Sequence, residues 1–112
     1  MRYLLAVSVV VVAVHHHHHH HHHRLTPRQY AGRCLARIID REDPSWNPRQ
    51  WNTSGSGAYG LPQALPGYKM ATAGRDWRTN PFTQIKWMRR YARGRYGSEC
   101  AALQHSLSYG WY

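Results

Sequence analysis

"TPRQYAGRCLARIIDREDP", residues 26–44, sets the fold class. Thr26 before Pro27 is an N-cap followed by proline at the first helical position, where a missing N–H costs nothing. Apolar residues then recur at 31, 34, 35, 38 and 39, the period of a helix with one buried face. Pro44 ends it. At about 100° per residue, Glu42 falls in the middle of that stripe, one turn beyond Ile38 and Ile39. Asp40 points to the opposite face and Asp43 well to one side. A carboxylate thus stands where the core, or a cleft lined by it, belongs.

Further along, "NPFTQIKWMRRYARGRYG", residues 80–97, predicts a second helix. Asn80 caps it, Pro81 begins it, Ile85, Met88, Tyr91 and Ala92 form its apolar stripe, and Gly94 or Gly97 stops it. Lys86, Arg89, Arg90 and Arg93 crowd its remaining surface, as a solvated face or as a basic surface toward a substrate. Ser98 caps a last short helix through about His105. Between the helices, "PSWNPRQWNTSGSGAYGLPQALPG" (44–67) is dense in turn residues yet carries Trp46, Trp51, Tyr59 and Gln63. An irregular loop or a short strand pair is expected near 50–60, a helical turn in "LPQAL", and a short helix or turn in "YKMATAG". The fold class is mainly α.

Residues 1–14 read as a signal-like hydrophobic segment, with Arg2 before an apolar run too short for an ordinary membrane span. The alternative is an uncleaved export signal that anchors the domain. Residues 15–24 hold nine consecutive histidines, an added tag or a natural low-complexity tract rather than a dedicated metal site. The domain is 25–112, small enough to need compensation for its limited core. All five tryptophans fall inside it, as do both cysteines. With an export signal upstream, Cys34 and Cys100 read as a disulfide, the other reading being two separate buried thiols.

Fifteen Lys and Arg stand against five Asp and Glu. Such a field favours a polyanion. Export argues for a cell-wall polymer over nucleic acid, and for a secreted or wall-associated protein. The few acids permit elimination. Asp40 is solvated, Asp76 sits in a turn or cap, and Glu99 complements a helix dipole in the first turn of the last helix. Glu42 alone has a position that structure does not explain, unless an arginine satisfies it. A carboxyl raised by an apolar cleft is a general acid near neutral pH.

Five blocks in order, "CLARIIDREDPSWNP", "SGAYGLPQALPGYKM", "DWRTNPFTQIKW", "RYGSEC" and "HSLSYGWY", make the chain from about Cys34 to Tyr112 resemble the soluble lytic transglycosylase family of the lysozyme-like superfamily. The match is closest to its small secreted actinobacterial and phage-associated forms. The resemblance implies an α+β lysozyme-like domain, monomeric and without cofactor or metal, that cleaves peptidoglycan glycan strands with one glutamate, here Glu42. The family's glycine-leucine-x-glutamine block falls on Gly60, Leu61, Pro62 and Gln63. Its alanine-tyrosine-asparagine region falls on "LQHSLSYG", where this chain has His105 and Ser106. The family's serine after the glutamate is Asp43 here, and Trp46 lies four positions on rather than three. An insertion near Pro44 accounts for both; an alignment on Trp46 without it puts Asp43 on the catalytic position. Tyr59, Gln63, Trp46 and His105 are the expected saccharide contacts. A muramidase on the same fold and a non-catalytic cationic wall-binding module are the alternatives.

Overall fold

A computed structural model describes residues 25–112; the signal-like segment 1–14 and the histidine tract 15–24 lie outside the described residues. Helix α1 runs Pro27–Glu42, a 3-10 helix Gly67–Thr72, α2 Pro81–Tyr96 and α3 Glu99–Tyr109. The caps are those the local chemistry dictates. Thr26 Oγ1 accepts from the Gln29 N–H, and the Gln29 side chain accepts from the Thr26 N–H, a reciprocal capping box. Asn80 caps α2 and Ser98 caps α3. Gly97 and Gly110, both at positive φ, close their C-terminal ends. The last helix is longer than its sequence suggested because nothing before Gly110 stops it.

The three α-helices pack against one another in every pairing. Ala31, Leu35, Ile38 and Ile39 of α1 meet Ile85, Met88 and Ala92 of α2 and Ala102 and Leu103 of α3. A second cluster of Tyr59, Ala64, Met70 and Trp77 lies under the long loop, and half-buried Trp87 touches both. Among the described residues there is no strand, so the domain is mainly α-helical. The loop is irregular rather than a strand pair. Two isolated antiparallel bridges, Trp51 to Tyr59 and Tyr59 to Ala64, lay three passes of chain side by side. "LPQAL" is a turn closed by the Gln63 N–H on the Gly60 carbonyl, not helix.

Helix α1 contains one departure from its periodicity. Gly32 has φ 78° and ψ 172°, a conformation nearly confined to glycine, and it breaks the helix after its first turn. The break changes the direction of that turn. Arg28 and Asp40, twelve residues apart, stand about 18 Å apart along a straight helix, yet their side chains meet at 2.5 Å. Arg89 of α2 satisfies the carbonyls left open, donating to Tyr30 O at 2.7 Å and Ala31 O at 3.0 Å. Its Nε also bonds Glu99 of α3 at 3.0 Å, so one guanidinium ties all three helices. Arg93 also pairs with Glu99, so two of the four cations on the face of α2 are committed to α3, while Lys86, Arg90 and Arg93 remain solvent-exposed.

Cys34 and Cys100 form a disulfide joining α1 to α3, with Cα atoms 5.1 Å apart. It spans 66 residues, and closing so long a loop limits the unfolded chain by about 4 kcal/mol. Reduction, or Cys34→Ser, is expected to lower stability by about that amount. Urea unfolding with and without reductant measures it; coincident midpoints would contradict the expectation.

Candidate active site

The five acidic side chains separate into two groups. Asp40 receives Arg28 and the Trp46 indole N–H, and these hydrogen bonds hold its carboxyl below the ordinary value. Asp76 receives Thr83 and Asn80 at the start of α2 and is lowered by both. Burial opposes ionisation of Glu99, but hydrogen bonds from Arg93 and Arg89 outweigh it and hold the group down. These three are ion-pair or capping groups.

Glu42 and Asp43 behave in the opposite sense. Both are raised, chiefly by burial. Asp43 is 1% exposed, and its Oδ1 accepts from Ser45 Oγ at 2.6 Å. It is sequestered beneath the helix end, where its backbone carbonyl also holds the Trp46 N–H. Glu42 is half-buried and has no hydrogen-bond or ion-pair partner among the described residues. The nearby Arg41 charge opposes the rise only in part. That guanidinium is committed to α3, donating from Nε to Ser106 Oγ at 3.2 Å and from a terminal nitrogen to Ser106 O at 3.3 Å. The middle of α3 thus packs against the C-terminal end of α1 through Ser106.

Tyr112 is a residue that the sequence reading missed. After Gly110 the chain turns back, and Tyr112 Oη donates to Pro62 O at 2.9 Å. Burial, and next the Glu42 carboxylate, push the Tyr112 hydroxyl well above its ordinary value. It therefore stays protonated within electrostatic reach of Glu42 while holding the Pro62–Gln63 turn. Tyr112, Gln63, Trp87, Tyr91 and Lys69 line one small cavity of about 120 Å³. Trp87 stacks on Tyr91 at 5.1 Å, and Tyr91 meets Tyr112 edge-on at 5.7 Å. Tyr112 is thus tied to the Gln63 turn by a hydrogen bond and a shared cavity, and to Glu42 through charge alone. The sequence signal for it was an aromatic pair placed just after a helix-stopping glycine.

The other expected contacts are placed differently. Gln63, at φ 52°, donates to Gln50 O and Gly60 O and accepts from Asn52, so its carboxamide sews the three passes of the loop together. Tyr59 is 6% exposed, and its hydroxyl is committed to Arg78 O at 2.6 Å. Trp46 is fastened to Asp40 with Arg28 over its ring at 4.6 Å, on the flank of α1 about 200° round from Glu42. His105 lies among Tyr96, Tyr109 and Trp111, its rings' centroids 4.4–4.9 Å from theirs, and its buried Nε2 has no partner among the described residues. No hydrogen bond joins either residue to Glu42. Tyr112 and the Gln63 turn are brought together, with Glu42 in electrostatic reach of Tyr112; Trp46 and His105 share no hydrogen bond with any of them.

Among the described residues, no helix is long and apolar enough to cross a membrane. Comparison with protein-family models, with curated proteins and with solved structures finds no match to this chain.

Proposed function

We propose that the domain is a peptidoglycan lytic transglycosylase, exported and wall-associated, in which Glu42 is the general acid and then the base. One observation carries the reading: of the five acids, Glu42 alone is both raised by burial and without a partner among the described residues. Each of the other four carboxylates holds a donor, an arginine for Asp40 and Glu99 and a neutral side chain for Asp43 and Asp76, and Glu42 holds none among the described residues. The disulfide fits an exported protein.

Protonated Glu42 gives its proton to the glycosidic oxygen between N-acetylmuramic acid and N-acetylglucosamine. As that C–O bond breaks, the anomeric carbon acquires oxocarbenium character and is taken by the oxygen of the substrate's own acetamido group. The 6-hydroxyl then attacks the same carbon, the acetamido oxygen leaves, and the hydroxyl proton returns to Glu42. A 1,6-anhydro end results, no water is consumed, and Glu42 ends as it began. No second carboxylate is required, which suits a site where Asp43 is sequestered. The lysozyme-type alternative uses water at the last step. Borohydride separates them, since hydrolytic ends are reducible and anhydro ends are not. Unreduced anhydro fragments support the proposal, and reducible ends replace it with a muramidase.

Tyr112 provides a test of how Glu42 is tuned. A general acid loses activity as pH rises through its pKa, and kcat/KM reports the free enzyme. Tyr112→Ala removes a buried ring within electrostatic reach of Glu42 and is expected to lower the Glu42 pKa, moving the alkaline limb of the kcat/KM profile to lower pH. Tyr112→Phe keeps the buried ring and is expected to keep the limb in place. An unmoved limb in Tyr112→Ala would remove Tyr112 from the site.

A further inference from the structure

A second cleft, of about 420 Å³, shares no lining residue with the Tyr112 cavity. That volume is within the range of ligand pockets. Tyr59 and Trp77 are its buried floor, meeting edge-on with centroids 5.7 Å apart, while Trp51 and Tyr68 stand 62% and 69% exposed at its rim. Lone exposed aromatics need no explanation, but two flanking one cleft mark a contact surface. Arg78 also lines it, with its guanidinium 4.5 Å from the centre of a Trp77 ring. Whereas Arg28, Arg89 and Arg93 hold Asp40 or Glu99, Arg78 has no carboxylate partner among the described residues.

The cleft stands on fixed backbone. The Trp77 carbonyl accepts from buried Gln84 at 2.7 Å, and the Arg78 carbonyl accepts from Tyr59 Oη at 2.6 Å. Gly67 keeps one wall low, since a Cβ there would lie 2.7 Å from that of Tyr59. Flat exposed rings offer stacking to the C–H face of a pyranose, and an unpaired guanidinium at the cleft offers a charge-assisted bond to a carboxylate. A single-stranded nucleic acid would also stack, but it needs a basic track along its phosphates, and Arg78 is the sole cation lining this cleft.

Resting on the proposed wall-cleaving function, we infer that this cleft is a second binding station for a carboxylate-bearing glycan strand, apart from the bond-cleaving site at Glu42. It would hold the polymer while Glu42 acts elsewhere along it. The test uses the full domain with Glu42→Gln, so that the probe survives, and follows the tryptophan indole N–H signals by NMR. The probes are peptide-stripped peptidoglycan glycan strands, which carry lactyl carboxylates, and neutral chitotetraose. The indole signals of Trp51 and Trp77 are expected to shift with the strands. Arg78→Ala is expected to weaken strand binding about tenfold, the worth of a charged hydrogen bond, and to leave chitotetraose unaffected. Trp51→Ala is expected to weaken both. Circular dichroism checks that each variant is folded.

Unshifted Trp51 and Trp77 signals overturn the inference, as does displacement of the strands by a thymidine oligonucleotide or an acidic peptide that binds more tightly. Wall cleavage by the unsubstituted protein without those shifts overturns this inference alone. Shifts without any cleavage support the station and overturn the assignment of Glu42.

Discussion

Glu42→Gln is expected to abolish peptidoglycan cleavage and, at neutral pH, to raise the thermal stability of the domain. Loss of a general acid costs about 10²–10⁴ in rate, and in the proposed route the same group also returns as the base. The stability gain follows from linkage. Burial raises the Glu42 pKa in the folded protein above its unfolded value, which is about 4.3. Between those two values the folded state holds the proton that the unfolded state has lost, so stability falls as pH rises through the folded pKa. Glutamine removes that penalty. The gain is therefore present at pH 7 and vanishes below about pH 4, where the glutamate is protonated in both states. Melting curves of the two proteins at pH 7 and pH 3.5 check it. A lower melting temperature for Glu42→Gln at pH 7 would mean that the carboxylate is paired and structural.

Gln84→Ala is expected to cost about 4 kcal/mol, because up to three buried backbone groups lose their partner. Gln84 is fully buried. Its Oε1 accepts from the Leu61 N–H at 2.9 Å, and its Nε2 donates to Pro48 O at 2.8 Å and Trp77 O at 2.7 Å. One carboxamide on α2 thus anchors both ends of the cleft-forming loop. Gly60 lies against it at φ 77°, and a Cβ there would meet Gln84 Oε1 at 2.6 Å. Gly60→Ala alone is expected to destabilise by clash and by its left-handed backbone, the latter worth about 1–2 kcal/mol. The pair is expected to be non-additive, since Gln84→Ala vacates the space that the new methyl requires. Urea denaturation of the two single variants and the double variant measures this. Full additivity would show that the two residues do not share the contact.

The helices were legible because their signals are local. Thr26-Pro27, Asn80-Pro81 and Gly97-Ser98 state where helices begin and end, and the caps form where those residues stand. Glu42 was legible because the break at Gly32 precedes the segment that fixes its phase, so Leu35, Ile38, Ile39 and Glu42 remain in register. The break was not, since glycine inside a helical period has no single meaning. What the break needs is Arg89, whose carbonyl partners lie 58 and 59 residues away. Gln84 was hidden for a related reason. It is a polar residue beside Ile85, and its burial makes sense only once the Leu61, Pro48 and Trp77 backbone groups are seen to converge on it. Tyr112 comes to the Pro62–Gln63 turn only because the chain reverses after Gly110. Hydrogen bonds that sequence does not display commit the polar atoms of Trp46 and Tyr59 to Asp40 and to the Arg78 carbonyl.

The central claim is that a single carboxylate, Glu42, cleaves the glycan while its neighbour Asp43 takes no part. Mass spectrometry of fragments released from purified peptidoglycan by the unsubstituted protein, Glu42→Gln and Asp43→Asn tests it most directly. The account predicts 1,6-anhydro fragments from the unsubstituted protein and from Asp43→Asn, and none from Glu42→Gln. Fragments released by Glu42→Gln, or lost only in a folded Asp43→Asn, would contradict it.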